Sequence, residues 1–177
     1  MNSKKTISSF INPNWVLMII LMLIPIVNFF ALIVLLCNSL PAAMRAKKCL
    51  SALESRGELD AAASELASSN NRKYINDKVV LTDNYMFCKG TGVVLSYSDI
   101  LWAYRHRNTT SFLFIPIKVQ DSLCVAAKGM KPRMVATMGK DKTEQIKNAI
   151  VDIYNHNNNC IIGYNNEAIA KYKALSK

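Results

Sequence analysis

Lys78-Val79-Val80-Leu81-Thr82-Asp83-Asn84-Tyr85-Met86-Phe87-Cys88-Lys89-Gly90-Thr91-Gly92-Val93-Val94-Leu95-Ser96 is where the pattern of the chain changes. Upstream, apolar residues recur at helical spacing. From Lys78 onward, β-branched and aromatic residues come in short runs separated by turn residues, the mark of strands. Residues 78–82 read as a strand, Asp83-Asn84 as a turn, and residues 85–89 as the returning strand. Gly90-Thr91-Gly92 turns again and residues 93–96 follow. After Ser98-Asp99 comes an aromatic-rich strand over residues 100–106, then a polar loop over residues 107–111. Residues 112–119 read as a long strand whose Pro116 marks an edge or a bulge. Gln120-Asp121 turns into residues 123–127, and Lys128-Gly129-Met130-Lys131 turns into residues 133–138. Seven short sequential strands with hairpin-length connections predict an antiparallel meander that closes as a barrel or sandwich.

A helix follows the strands. Asp141 and Glu144 form a capping-box-like pair. Ile146, Ala149, Ile150 and Ile153 then make an apolar stripe that must cover something. Seven strands and one amphipathic helix is the order of a pleckstrin-homology (PH) domain, in which the helix plugs one end of the barrel. A last short helix, capped by Asn165/Asn166, runs through Ala168, Ile169, Tyr172 and Leu175. Val80-Leu81-Thr82-Asp83-Asn84-Tyr85 and Val94-Leu95-Ser96-Tyr97-Ser98-Asp99-Ile100-Leu101-Trp102-Ala103-Tyr104 resemble the core of bacterial PH-like domains. Ile161-Ile162-Gly163-Tyr164 resembles a Gly-Tyr tail pattern in a family of uncharacterised, membrane-anchored bacterial proteins of this type. The resemblance covers residues 78–177 and implies a fold more than a function, because that family carries no established activity.

Towards the amino terminus the composition is that of a membrane segment. The chain has 177 residues, and no charged residue occurs between Lys5 and Arg45. Residues 15–36 are apolar except for Pro25 and Asn28, and 16 of these 22 are Val, Leu, Ile or Phe. A helix of that length spans about 33 Å, close to the roughly 30 Å of a hydrocarbon core. Each such side chain favours insertion by about 0.3–0.6 kcal/mol, enough together to outweigh one Asn. A single transmembrane helix over residues 15–40 is expected, kinked at Pro25, with Trp15 as interfacial anchor and Asn28 turned towards a helix partner. A cleaved signal peptide would have a shorter apolar run, of about 7–15 residues. A re-entrant hairpin turning at Pro25 is the other alternative. Lys4 and Lys5 precede the segment, and Arg45, Lys47, Lys48 and Arg56 follow it. The larger count stays inside, which predicts an inner-membrane, single-pass protein with its C-terminal domain in the cytoplasm.

Between membrane and strands lies a helical neck. Met44, Cys49, Leu50 and Leu53 stand at near-helical spacing, and Gly57 stops the run. Leu59, Ala62, Ala63 and Leu66 mark a second short helix. The expected organisation is an N-terminal tail (1–14), membrane helix (15–40), helical neck (41–71), PH-like domain (72–157) and C-terminal helical extension (158–177). The fold class is α+β: a transmembrane helix, a short neck, a seven-stranded antiparallel PH-like barrel capped by a helix, and a short terminal helix.

The sequence holds little that resembles catalysis. Neither His106 nor His156 has a metal-ligand spacing partner, and five cysteines are scattered without paired spacing. Gly90-Thr91-Gly92 lacks the G-K-[ST] of a phosphate loop. No enzyme, metal site or cofactor is expected. Charge is more informative. Lys+Arg is 22 and Asp+Glu is 12, and residues 71–140 alone carry eleven positive against four negative charges, net +7. Arg105 and Arg107 form one cluster; Lys128, Lys131 and Arg133 form another around one hairpin. These five are the candidates for binding an anionic surface. A domain tethered to an anionic leaflet gains about 1 kcal/mol per basic residue held near it. Nucleic acid would need exposed aromatics among the basic residues, and Trp102 and Tyr104 read instead as core. Two functions remain: a protein-interaction or scaffolding module with an unidentified protein partner, or a reader of anionic lipid headgroups through its basic loops. The oligomeric state is not legible.

Overall fold

The structure, a computed structural model, describes residues 39–112, 115–139 and 143–176, together with Lys4. The expected membrane helix over residues 15–40, with Asn28, therefore lies outside the described residues but for its last two. Among the described residues, no helix is long and apolar enough to cross a membrane. The elements in chain order are α1 (Leu40–Ser55), α2 (Leu59–Ala67), β1 (Arg72–Tyr74), β2 (Val79–Leu81), β3 (Tyr85–Cys88) and β4 (Val93–Ser96). A 3-10 turn (Tyr97–Asp99) leads into β5 (Ile100–Phe112), β6 (Ile115–Ala127), β7 (Met130–Gly139), α3 (Thr143–His156), β8 (Ile161–Ile162) and α4 (Asn166–Leu175). The architecture is α+β, with two four-stranded sheets ordered β1-β2-β3-β4 and β7-β6-β5-β8. No sheet among the described residues closes into a barrel, which corrects the expectation of a closed seven-stranded one. The 3-10 turn after β4 takes the chain out of the first ladder, and the sheets remain separate and open.

The chain divides into two compact units, Met1–Ser69 with Phe87–Val94, and Asn70–Met86 with Leu95–Lys177. In the first unit, α1 starts with Pro41 in its first turn, where a missing N–H costs nothing. It ends in a Schellman motif: Glu58 N–H donates to the Leu53 carbonyl at 2.9 Å and Gly57 N–H to that of Glu54 at 3.1 Å. Gly57 takes the left-handed φ of 71° that the motif needs. The buried stripe is Ala42, Ala46, Leu50 and Leu53: Leu50 and Leu53 face inward as expected, Cys49 is half-buried, and Met44 is 72% exposed. Alanines face inward because the β3–β4 turn presses on them. The Arg45 side chain donates to the Thr91 carbonyl at 2.9 Å. A Cβ on Gly92 would overlap the Ala42 carbonyl oxygen and lie 3.0 Å from the Ala46 nitrogen.

In the second unit the strands differ from the sequence expectation in two places. Residues 107–111, expected as loop, belong to β5, and Gln120-Asp121, expected as a turn, lies inside β6. Both strands run 13 residues as one antiparallel pair, from Ile100↔Ala127 to Phe112↔Ile115. Polar residues mislead there because the far end of the hairpin extends beyond the core: Arg107 to Thr110 are all exposed on this stretch. The register passes from Thr110↔Lys118 to Ser111↔Pro116, so a bulge at residue 117 lies beside Pro116, in line with the reading of Pro116 as an edge or bulge residue. β1 and β8 were not legible, being three and two residues long. β8 pairs parallel with β5, Trp102↔Ile161 and Ala103↔Ile162. α3 buries Ile146, Ala149 and Ile153 and packs against β1, β5 and β6. Asp141, the expected first member of its cap, lies outside the described residues. α4 is capped as its sequence predicts, the Asn165 side chain accepting from Ala168 N–H at 2.7 Å.

Gly92→Ala and Gly90→Ala separate backbone strain from steric overlap. Both glycines have positive φ, but a Cβ on Gly90 meets open space. Urea denaturation followed by circular dichroism should show a loss of about 1–2 kcal/mol for Gly90→Ala from the left-handed backbone alone. Gly92→Ala should lose about 3 kcal/mol or more, because overlap is added to strain. Equal losses would show that α1 does not press on the turn.

Candidate functional site

The five candidate cations do not form one patch. Arg107 stands opposite Asp121 and Arg105 opposite Leu123, whereas Lys128 sits in the β6–β7 turn and Arg133 opposite Val125. Asp121 and Lys128 are seven residues apart on one chain run, roughly 20 Å at strand rise. Arg107 is occupied: its Nε and Nη2 donate to the two Asp121 carboxylate oxygens at 2.9 and 3.1 Å. The Thr143 hydroxyl, at the start of α3, donates to the same carboxylate. The Asp121 carboxylate is buried, yet these hydrogen bonds, Arg107 first, hold its pKa down to about 2. The pair is a staple between β5, β6 and α3.

The other basic cluster is open. Ala127 pairs with Met130, so Lys128-Gly129 is a two-residue hairpin turn, with Gly129 at φ 70°. The turn is held by Lys128 N–H donating to the Asp99 carbonyl at 2.9 Å. Lys128 Nζ stands 3.9 Å from the Asp99 carboxylate, at the edge of ion-pair range, and its side chain is 62% exposed. Lys131, Pro132, Arg133 and Met134 are all exposed. Beside this hairpin lies a cleft of about 680 Å³, within the usual range for ligand sites. One wall is the hairpin from Lys128 to Pro132; the other is the end of α4, with Tyr172, Leu175 and Ser176; Leu101 and Ala127 complete it. Lys128 and Lys131 thus line a concave site, while Arg133 stands on the strand just beyond it. No local signal marks the α4 wall, which comes from 40 or more residues downstream of the hairpin.

α4 is held there by aromatic packing. Trp102 Nε1–H donates to the Gly163 carbonyl at 2.7 Å, and Gly163 N–H donates to the Ala103 carbonyl at 3.2 Å. The Trp102 ring stacks on Tyr164 at 5.7 Å and packs on Tyr104 and Tyr172 at 4.3 and 5.1 Å. At Gly163-Tyr164 the backbone thus meets the indole and the next ring packs over it. Burial, with smaller contributions from Cys124 and neighbouring tyrosines, pushes the Tyr104 hydroxyl up to about 12.

One further polar cluster superficially resembles acid–base machinery. Asp152 is buried on α3; Arg72 Nη1 lies 3.0 Å from its carboxylate and the Tyr74 hydroxyl donates to it at 3.2 Å. His156 Nδ1 lies 2.7 Å from the Asp152 backbone carbonyl, an acceptor, so Nδ1 carries the proton. Nε2 then accepts from Arg72 Nη2 at 2.9 Å. Both ring nitrogens and the carboxylate are thus in use: Nδ1 within α3, Nε2 and the carboxylate in tying β1 to α3. Burial raises the thiols of Cys49, Cys88, Cys124 and Cys160, so each stays protonated and a weak nucleophile. Among the described residues, no three His, Cys, Asp or Glu side chains are grouped to hold a metal ion.

No family model, curated protein or solved structure matches the chain.

Asp121 sets a pH dependence. Its folded pKa of about 2 lies below the ordinary value of 3.8, so its stabilisation is complete above about pH 4–5 and is lost as pH falls towards 2. In Arg107→Gln the main cause of the low pKa is gone. The melting temperature of the variant should be lower at neutral pH, and its further fall between pH 4 and 2 shallower than in the parent chain. Parallel pH profiles for the two would refute the staple. Trp102→Phe keeps the ring bulk and removes the bond to Gly163. Amide exchange over α4 should then speed by about five- to tenfold, corresponding to roughly 1 kcal/mol for one hydrogen bond. Unchanged protection would mean that Trp102 does not hold α4.

Proposed function

We propose that the chain is a single-pass inner-membrane protein whose cytoplasmic domain is a PH-like, non-enzymatic module that binds a protein partner. The apolar, charge-free run over residues 15–36 supports the membrane anchor, and the basic flank from Arg45 to Arg56 supports the cytoplasmic orientation. Four short strands, three longer ones and an amphipathic helix, in that order, support the PH-like arrangement. The observation that carries the binding role is the cleft beside the β6–β7 hairpin, concave and accessible, with Lys128 and Lys131 on its wall. The buried polar groups are instead consumed by structure: Asp121 by Arg107 and Thr143, Asp152 by Arg72 and Tyr74. A second reading, attraction to anionic lipid headgroups, draws on the net +7 of residues 71–140 and the exposed hairpin cations.

The test places a photo-crosslinking residue at Lys131 of the full chain in bacterial membranes, with a control at exposed Asp83. A discrete protein adduct at Lys131 and none at Asp83 is the expected result. Adducts to lipid alone would favour the headgroup reading, and adducts at neither position would defeat both.

A further inference from the structure

We infer that the cleft takes a segment of the partner in which acidic and apolar side chains lie together. This rests on the reading of the domain as a protein-binding module and supplies the chemistry of its ligand. Met130, Pro132 and Tyr172 give the cleft apolar walls, and Leu175, 59% exposed, leaves its side chain unburied at the lip. Lys128 and Lys131 stand on the hairpin wall, and among the described residues no acidic side chain lines the cleft. Lys128 has Asp99 only at 3.9 Å, which leaves its ammonium donors free to turn to a ligand carboxylate. A wholly apolar segment would strip water from these ammonium groups without replacing it, which is costly. A wholly acidic one would leave the apolar walls wet and gain nothing from them. Only a segment with both chemistries satisfies the two walls at once.

Shape separates this ligand from a lipid surface. A bilayer is flat on the scale of a hairpin and meets what projects towards it. Here the apolar side chains line a concavity between two elements, which a protruding side chain of a peptide can enter. The charges at its edge then steer and orient that segment more than they bind it.

Fluorescence anisotropy tests this on the full chain in a neutral detergent. The probes are short labelled peptides alternating Glu with Leu or Phe, counterparts with Lys for Glu, and counterparts with Ser for the apolar residues. Vesicles of neutral and of anionic lipid form a parallel arm. The Glu/Leu peptides should bind with a dissociation constant in the micromolar range, as small polar-rimmed sites do. Both counterpart sets should bind at least about tenfold more weakly, and added salt should weaken the Glu/Leu binding. The double variant Lys128→Glu/Lys131→Glu should lose about tenfold or more. Leu175→Asp, at a side chain mostly in solvent, should weaken binding with an unchanged circular dichroism spectrum. If the Glu/Leu peptides bind no better than their counterparts, or the double variant binds them equally well, the inference is overturned. Should a protein adduct at Lys131 persist in that case, the module stands and only its ligand chemistry falls. If anionic vesicles bind through Lys128 and Lys131 and no peptide does, the protein-binding reading falls with it.

Discussion

A carboxylate sits in the middle of the longest hairpin among the described residues, and the second unit is arranged around it. Asp121 would be intolerable inside β6 without compensation, since a buried charge must be paired and hydrogen-bonded. Arg107, directly opposite on β5, grips both oxygens, and Thr143 adds a third donor from the first turn of α3. One group thereby sets the register of β5 on β6 and the point where α3 begins. A slip of one residue would turn every side chain to the other face and strand the charge. With the register fixed, Ala103, Leu123 and Val125 are buried on the sheet, and α3 brings Ile146, Ala149 and Ile153 to β5 and β6.

At the other end of the same sheet, packing does what charge does here. Trp102 and Tyr104 alternate with Ala103 and so stand on the opposite face. That face is covered by β8 and α4, through the indole bond to Gly163 and the rings of Tyr164 and Tyr172. The cover is short, and Ala168 is the one residue of α4 that is buried. Its aromatic anchoring matters for the proposed site because the far end of α4 is a wall of the cleft. The site is thus a product of two independent attachments: the Lys128–Gly129 hairpin pinned to Asp99, and α4 pinned to Trp102.

Legibility followed the range of the interactions. The hairpin over residues 85–96 could be read closely, because Asp83-Asn84 and Gly90-Thr91-Gly92 are local turn chemistry. The stripe of α3 and the Asn165 cap are local too. In sequence the long β5 and β6 break into shorter pieces, because Gln120-Asp121 and residues 107–111 carry the polarity of turns. What makes Asp121 a strand residue is Arg107, 14 positions away, and spacing along the chain does not reveal that. The neck misled in another way. Met44 and Cys49 look like the natural apolar stripe, but Ala42 and Ala46 are the buried ones, because the backbone at Gly92 approaches too closely for anything larger.

The sequence by itself determined the composition of the parts: a charge-free apolar run near the amino terminus, a strand-rich middle with a basic hairpin, and a helix with one apolar face. These follow from side-chain type and period, which are local properties. Only the tertiary structure decided that the strands make two open sheets, that Arg107 is spent on Asp121 while Lys128 and Lys131 line a cleft, and that Tyr172 and Leu175 supply its other wall. Those outcomes depend on which residues meet after the chain has folded back on itself, and cross-strand and helix-to-sheet contacts of that kind are set by packing between distant segments.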